Sequence, residues 1–210
     1  MIDREKVTNI KESECEAPWL SNEKILEKLD WAEVFGNRHP LEIELGAGDG
    51  GFLLDYAAER PSRNFVATER LLGRARKIAK RISRRGLANV RILRLESAYF
   101  LKWMCPEGSV DIIHIMFPDP WPKRRHHKNR LIQSEFLKTM HQSLVSGGEV
   151  RFTTDHAEYF DWALKVWGEA GTLFEKRGPW DASTDPKTDF ERHFMEEGRS
   201  FQRCAWVKKD

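Results

Sequence analysis

No apolar run in this chain of 210 residues approaches the roughly 20 residues that crossing a bilayer requires. Cysteine is scarce: Cys15, Cys105 and Cys204 stand far apart, with no CxxC and no Cys/His spacing. That argues against a zinc-ligand motif and a disulfide framework, and makes a reducing cytoplasm the expected setting. The opening MIDREKVTNIKESECEAPW is too polar for a secretory signal. Internal repeats, low-complexity tracts and a convincing domain linker are missing too, so the length implies one core rather than two.

Net charge is only +2, which selects no partner by itself. Its distribution says more. From Arg70 to Arg85 stand Arg70, Arg74, Arg76, Lys77, Lys80, Arg81, Arg84 and Arg85, with no acidic residue among them. A second cluster, Lys123, Arg124, Arg125, Lys128 and Arg130, encloses His126 and His127. One such cluster is ordinarily a solvated face. Two on a near-neutral chain point to a polyanion, because phosphate contacts supply most non-specific nucleic-acid affinity.

Residues 1–40 lack sustained periodicity and read as a partly ordered leader, with one short amphipathic helix over 22–29, ahead of a domain over 41–210. From Leu41 short apolar runs alternate with helical ones. LEIEL (41–45), NFVATE (64–69), VRILRL (90–95), SVDIIHIMF (109–117) and EVRFTT (149–154) read as strands. Helices are expected over 52–59, 73–85, 131–145, closed by Gly147 and Gly148, and 157–171. TLFEKR (172–177) and FQRCAWVKK (201–209) are strand-like and flank a long polar segment, 178–200. Alternation of this kind implies βαβ units. The expected fold is α/β and Rossmann-like: a mostly parallel, doubly wound sheet with an antiparallel C-terminal edge.

The turn after the first strand reads Glu44-Leu45-Gly46-Ala47-Gly48-Asp49-Gly50-Gly51. Its glycines permit positive φ and let backbone N–H groups approach a ligand where a helix begins. Glu69, ending the second strand, is placed to accept ribose hydroxyls. Gly46, Gly48 and Gly51 satisfy G-x-G-x-x-G, which fits several nucleoside cofactors. Charge favours S-adenosylmethionine over NAD, since Glu44 and Asp49 suit a cationic amino-acid end and would repel a pyrophosphate. Glu96, past the third strand, lies where an adenine would rest, or serves a helix N-terminus.

Phe117-Pro118-Asp119-Pro120-Trp121-Pro122-Lys123 leaves the carboxyl end of the fourth strand, where doubly wound sheets bind ligands. Prolines on both sides of Asp119 stiffen its backbone and aim a carboxylate into the crevice. LEIELGAGDG, ATER, FPDPWPKRRHHKNR, FTTDH and KTDFERHF, in that order, resemble the bacterial tRNA (guanine-N7)-methyltransferase family from about Leu41 to the C-terminus.

The resemblance implies S-adenosylmethionine as methyl donor and tRNA as partner, with the mark in the variable loop. Glu44, Gly46, Gly48, Glu69, Glu96 and Asp119 would hold the cofactor, with Asp119 also catalytic. Lys123, Asp155, Thr188, Asp189, Phe190 and Glu191 would hold substrate; Arg125, His126, His127, Lys128 and Arg130 would touch RNA. The family's last block usually reads T-K-[FY]-E, so Asp189 stands where a lysine is usual, and Glu96 where aspartate or asparagine is commoner.

Guanine N7 has an available lone pair, so the transfer needs no general base and no metal. Catalysis would be positioning and electrostatics. The protein would act as a monomer or homodimer. Two other readings stand beside this one: an NAD-dependent oxidoreductase, which leaves FPDPW unexplained, and a non-catalytic RNA-binding protein on a methyltransferase fold. Within enzymes, a methyltransferase for exocyclic amines is the nearest competitor.

Overall fold

The computed structural model describes residues 18–20 and 25–210. Seven strands form one sheet: β1 (Leu41–Leu45), β2 (Asn64–Thr68), β3 (Val90–Leu93), β4 (Val110–Met116), β5 (Leu144–Thr154), β6 (Phe174–Gly178) and β7 (Gln202–Lys208). Their order is β3-β2-β1-β4-β5-β7-β6. The first five run parallel, and β7 is antiparallel to both of its neighbours, β5 and β6. This is the expected doubly wound sheet with a reversed strand near its C-terminal edge. The order turns back between β1 and β4, so a crevice opens at their carboxyl ends.

β1 and β2 are buried along their whole length, as central parallel strands covered on both faces must be. Helices α2 (Gly51–Ala58) and α3 (Leu72–Arg85) cover one face. On the other lie α1 (Trp31–Phe35), α5 (Ser134–Ser143) and α6 (Ala157–Glu169). Between β3 and β4 the chain makes α4 (Ser97–Tyr99), which runs into a π-helical turn, Phe100–Met104. Helix α3 shows why such segments hold. Ala75, Ile78, Ala79 and Ile82 recur at helical spacing and are buried, while Gly86 closes the helix at φ 64°.

The segment before β1 joins the same core. Ile92 N–H donates to the Pro18 carbonyl and Leu20 N–H to the Ile92 carbonyl, both at 2.9 Å. Leu20 and Phe35 pack in the core, and Trp31 Nε1 donates to Ser109 Oγ at 3.0 Å. Of the helix expected over 22–29, residues 22–24 lie outside the described residues, and 25–29 are turn and irregular backbone. Cys15 also lies outside them; Cys105 and Cys204 are buried free thiols.

Three expectations are corrected. The helix expected over 131–145 spans only Ser134–Ser143, because side chains of α6 take up the backbone before it: Ile132 N–H donates to Tyr159 Oη, and Trp162 Nε1 to the Ile132 carbonyl. Gly147 and Gly148 do not end that helix. They lie inside β5, where the register against β4 shifts between Val110 and Ile112 and Gly147 takes φ 70°. The polar stretch 178–200 holds a further helix, α7 (Asp189–Glu196), started by a Thr188/Glu191 capping box.

Candidate functional site

Two glutamates on β1, Glu42 and Glu44, share the face toward α2 and are 1% and 3% exposed. They meet opposite surroundings. His114 Nε2 lies 2.6 Å from Glu42 Oε2, and Arg63 Nε 2.5 Å from Oε1. Burial alone would push the Glu42 carboxyl up. The hydrogen bond and charge of His114, with the charges of Arg63 and Arg151, outweigh it and hold the group below its usual range. Glu44 has no such help: its Oε2 is buried without a hydrogen-bond partner. Burial, and then the charge of Glu69, push this carboxyl up to about 8.

The glycine-rich turn folds around these groups. Gly46, Gly48 and Gly50 take φ of 82°, 57° and 72°, a region that costs other residues energy. Gly46 N–H donates to the Thr68 carbonyl at 3.0 Å. Glu69 accepts from Gly48 N–H at 3.1 Å and from Leu71 N–H at 2.7 Å, so its carboxylate clamps the loop to the start of α3. Gly50 precedes α2 with no side-chain cap, so the first amides of that helix have no capping side chain from the turn itself.

A cavity of about 280 Å³ lies over this turn, near the lower end of small-molecule sites. Glu44, Gly46 and Gly48 line it together with Met116 and Phe117 at the end of β4, Arg74 of α3, and Thr188, Asp189, Phe190 and His193 of the α7 region. Met116 and His193 were not singled out from sequence, and Arg74 and Phe117, named there in the basic run and the proline-rich segment, were not assigned to the cofactor site. For His193 the available signal was its i+3 spacing from Phe190, once a helix is granted there.

Asp49 is a weaker argument for a cationic ligand than its sequence position suggests, because Lys77 Nζ sits 3.3 Å from its carboxylate. Asp189 has a physical reason to replace a lysine. Its carboxylate pairs with Arg192 and lies against Gly51, where an added Cβ would stand 3.1 Å from Oδ2. A negative group there complements the uncapped N-terminus of α2. Thr188 and Glu191 are structural partners: each satisfies the other's backbone amide, and Glu191 also pairs with Arg203. Phe190 is 56% exposed and stands 5.6 Å from the Phe117 ring, which also meets Phe194 and Phe201.

The loop after β4 is held in an uncommon shape. Phe117 and Trp121 take φ of 51° and 45°, the only described non-glycine residues at positive φ. Such positions cost about 1–3 kcal/mol each and persist where surroundings over-determine them. Phe117 N–H is tied to the Thr153 carbonyl at 2.8 Å, and Arg130 Nε to the Pro120 carbonyl at 2.9 Å. Asp119, between them, is exposed, and its carboxylate hydrogen-bonds no described residue. It does not line the cavity, whose wall on this side is Met116 and Phe117.

Arg130, expected among the RNA contacts, is enclosed instead. It is 2% exposed, forks onto Glu158 and lies over the rings of Tyr159 and Trp162. Its guanidinium braces the loop from inside. Arg125 and Lys128 are exposed, while His126 and His127 are half-buried against Trp121 and Trp162. Lys123 is exposed at the start of the 3-10 turn Arg124–Asn129. Asp155 accepts from Arg199 at 2.9 Å. Glu96 caps α4, accepting from Ala98 and Tyr99 amides, and is not part of the cavity wall.

Residues 38–204 match the family described as "Putative methyltransferase". The tRNA (guanine-N(7)-)-methyltransferase of Syntrophotalea carbinolica is 35% identical over 89% of this chain and 82% of its own length. That of Geobacter metallireducens is 38% identical over 70% of each. Among solved structures, the 16S rRNA methyltransferase KamB superposes with a TM-score of 0.62 at 17% identity, covering 86% of this chain and 93% of that one. At that identity the likeness is one of fold.

Proposed function

Because the chain belongs to the tRNA (guanine-N(7)-)-methyltransferase family, we propose that its site transfers a methyl group from S-adenosylmethionine to N7 of a guanine in tRNA, in the variable loop. The observation that carries this reading is Glu44: a buried, unpartnered carboxyl oxygen in the wall of a cavity beside a glycine-rich turn. A buried acid without a partner is costly, and a cationic ligand removes the cost. The cofactor's ammonium is such a cation, and a pyrophosphate is not.

S-adenosylmethionine supplies, when bound, a methyl group activated by a cationic sulfur. Glu44 would hold its amino-acid end. Glu69, already oriented by the Gly48 and Leu71 amides, keeps acceptor capacity for ribose hydroxyls. Phe117 and Phe190 would exclude water from the reacting centre. N7 has its lone pair free, so none of these groups must take a proton before transfer. Asp119 would orient the incoming base and favour the positive charge that develops on it. Lys123 and Asp155, outside the cavity wall, would meet the RNA.

Among the described residues no helix is long and apolar enough to cross a membrane; we place the enzyme in the cytoplasm, with its tRNA substrate. Incubating unmodified total tRNA with labelled donor and mapping N7-methylguanosine tests the reading. Methyl on an exocyclic nitrogen, or none on RNA, refutes it.

A further inference from the structure

We propose that the solvent face of α3 is a phosphate-binding surface that holds tRNA beside the cofactor cavity. This rests on the tRNA reading above and extends it to a surface that the resemblance did not assign. Arg74, Lys77, Arg81 and Arg84 recur at helical spacing and so share one side of the helix, bordered by Lys80 one turn before Arg84 and by Arg70 just ahead of the first turn; Ala75, Ile78, Ala79 and Ile82 on the opposite side are buried. Arg74 lines the cavity, so the stripe begins at its wall. From there the 14-residue helix extends roughly 20 Å.

The pairing along this face is uneven. Lys77 and Arg85 meet Asp49 and Asp55, and Arg81 donates to the Asp49 carbonyl. Arg70, Arg74, Lys80 and Arg84 pair with no carboxylate among the described residues. Arg70 and Arg74 also flank the helix start, where the first turn carries no acid and the macrodipole disfavours cations. A merely solvated face would not gather unpaired cations at that end. The 123–130 segment offers fewer free cations than its sequence promises, because Arg130 is buried. A backbone of regularly spaced phosphates matches a stripe of this length and sign.

The test is the triple substitution Arg70→Gln, Lys80→Gln, Arg84→Gln, which spares Arg74 in the cavity wall. Binding of unmodified tRNA is measured between 50 and 200 mM salt, values chosen to span the range where phosphate contacts dominate, alongside methylation kinetics and melting. The tRNA KM should rise about tenfold or more, and the slope of log K against log salt should flatten by roughly 2–3. Melting, the KM for S-adenosylmethionine and kcat at saturating tRNA should stay as in the unsubstituted protein. An unchanged tRNA KM with an unchanged salt slope overturns the proposal. So does poly-glutamate binding the stripe more tightly than tRNA does, which would assign it to an acidic protein. If the unsubstituted protein binds tRNA but leaves N7 unmethylated, the functional reading falls, while a flattened slope in the triple variant still upholds the surface.

Discussion

Glutamine in place of Glu44 should change how stability depends on pH. In the folded protein this carboxyl is pushed from an ordinary 4.5 up to about 8. Between those values the native state holds a proton that the unfolded chain has lost. Stability therefore falls as pH rises, by about 1.4 kcal/mol per unit and roughly 5 kcal/mol across the window. Above about pH 8 both states are ionised and the loss is complete. Glu44→Gln lacks this penalty. The two proteins should diverge progressively above pH 5, the variant melting higher by about 3–6 °C per pH unit for a domain of this size. Calorimetric melts of cofactor-free protein at half-unit steps from pH 5 to 9 read the difference directly. Calorimetry of S-adenosylmethionine binding at pH 7, in buffers of different ionisation enthalpy, should show net proton release that Glu44→Gln abolishes. Parallel stability curves for the two proteins between pH 5 and 8 would refute the reasoning, as would undiminished cofactor affinity in the variant at pH 8.

Two further substitutions separate roles that the sequence left merged. Arg130→Met should destabilise the fold by about 1–3 kcal/mol through the lost bonds to the Pro120 carbonyl and Glu158. It should lower kcat while leaving the salt slope of tRNA binding unchanged; a slope shallower by about one phosphate, with kcat intact, would return Arg130 to the RNA surface. Asp119→Asn should lower kcat by about a hundredfold or more and spare both melting and bulk tRNA affinity, since its carboxylate bonds no described residue. Single-turnover methylation at saturating tRNA would show this, and an unchanged rate would remove Asp119 from the chemistry.

What could be read from sequence was local. Gly46 and Gly48 announce their backbone conformations, and the apolar run at 41–45 announces a buried strand. The doubly wound order follows from alternation. Partnership was not legible. Glu42 and Glu44 look alike in LEIEL, and only β4, supplying His114, pairs one and leaves an oxygen of the other buried without a hydrogen-bond partner. Arg130 sits in a basic run identical in character to its exposed neighbours; its burial depends on Glu158, Tyr159 and Trp162, about 30 residues further along. Thr188 and Glu191 carry a readable capping-box spacing, which the resemblance to a substrate-binding block obscured. The glycine pair at 147–148 was misread because a bulge is defined by the partner strand, which no single segment displays.

The two aromatic residues at positive φ, Phe117 and Trp121, have a consequence for laboratory evolution. Selection for heat resistance alone should replace Trp121 with glycine, since its ring meets only the His126 ring among the described aromatic residues and relief of the backbone there outweighs the entropy that glycine adds to the unfolded chain. Such a variant would tolerate more heat and hold Pro118 to Pro120 less firmly. At position 117 the same change would cost stability instead, because it removes a wall of the cavity and the ring packed against Phe190, Phe194 and Phe201. Thermal tolerance and turnover should then move in opposite directions along this one loop, and a screen that rewards both will leave its aromatics in place.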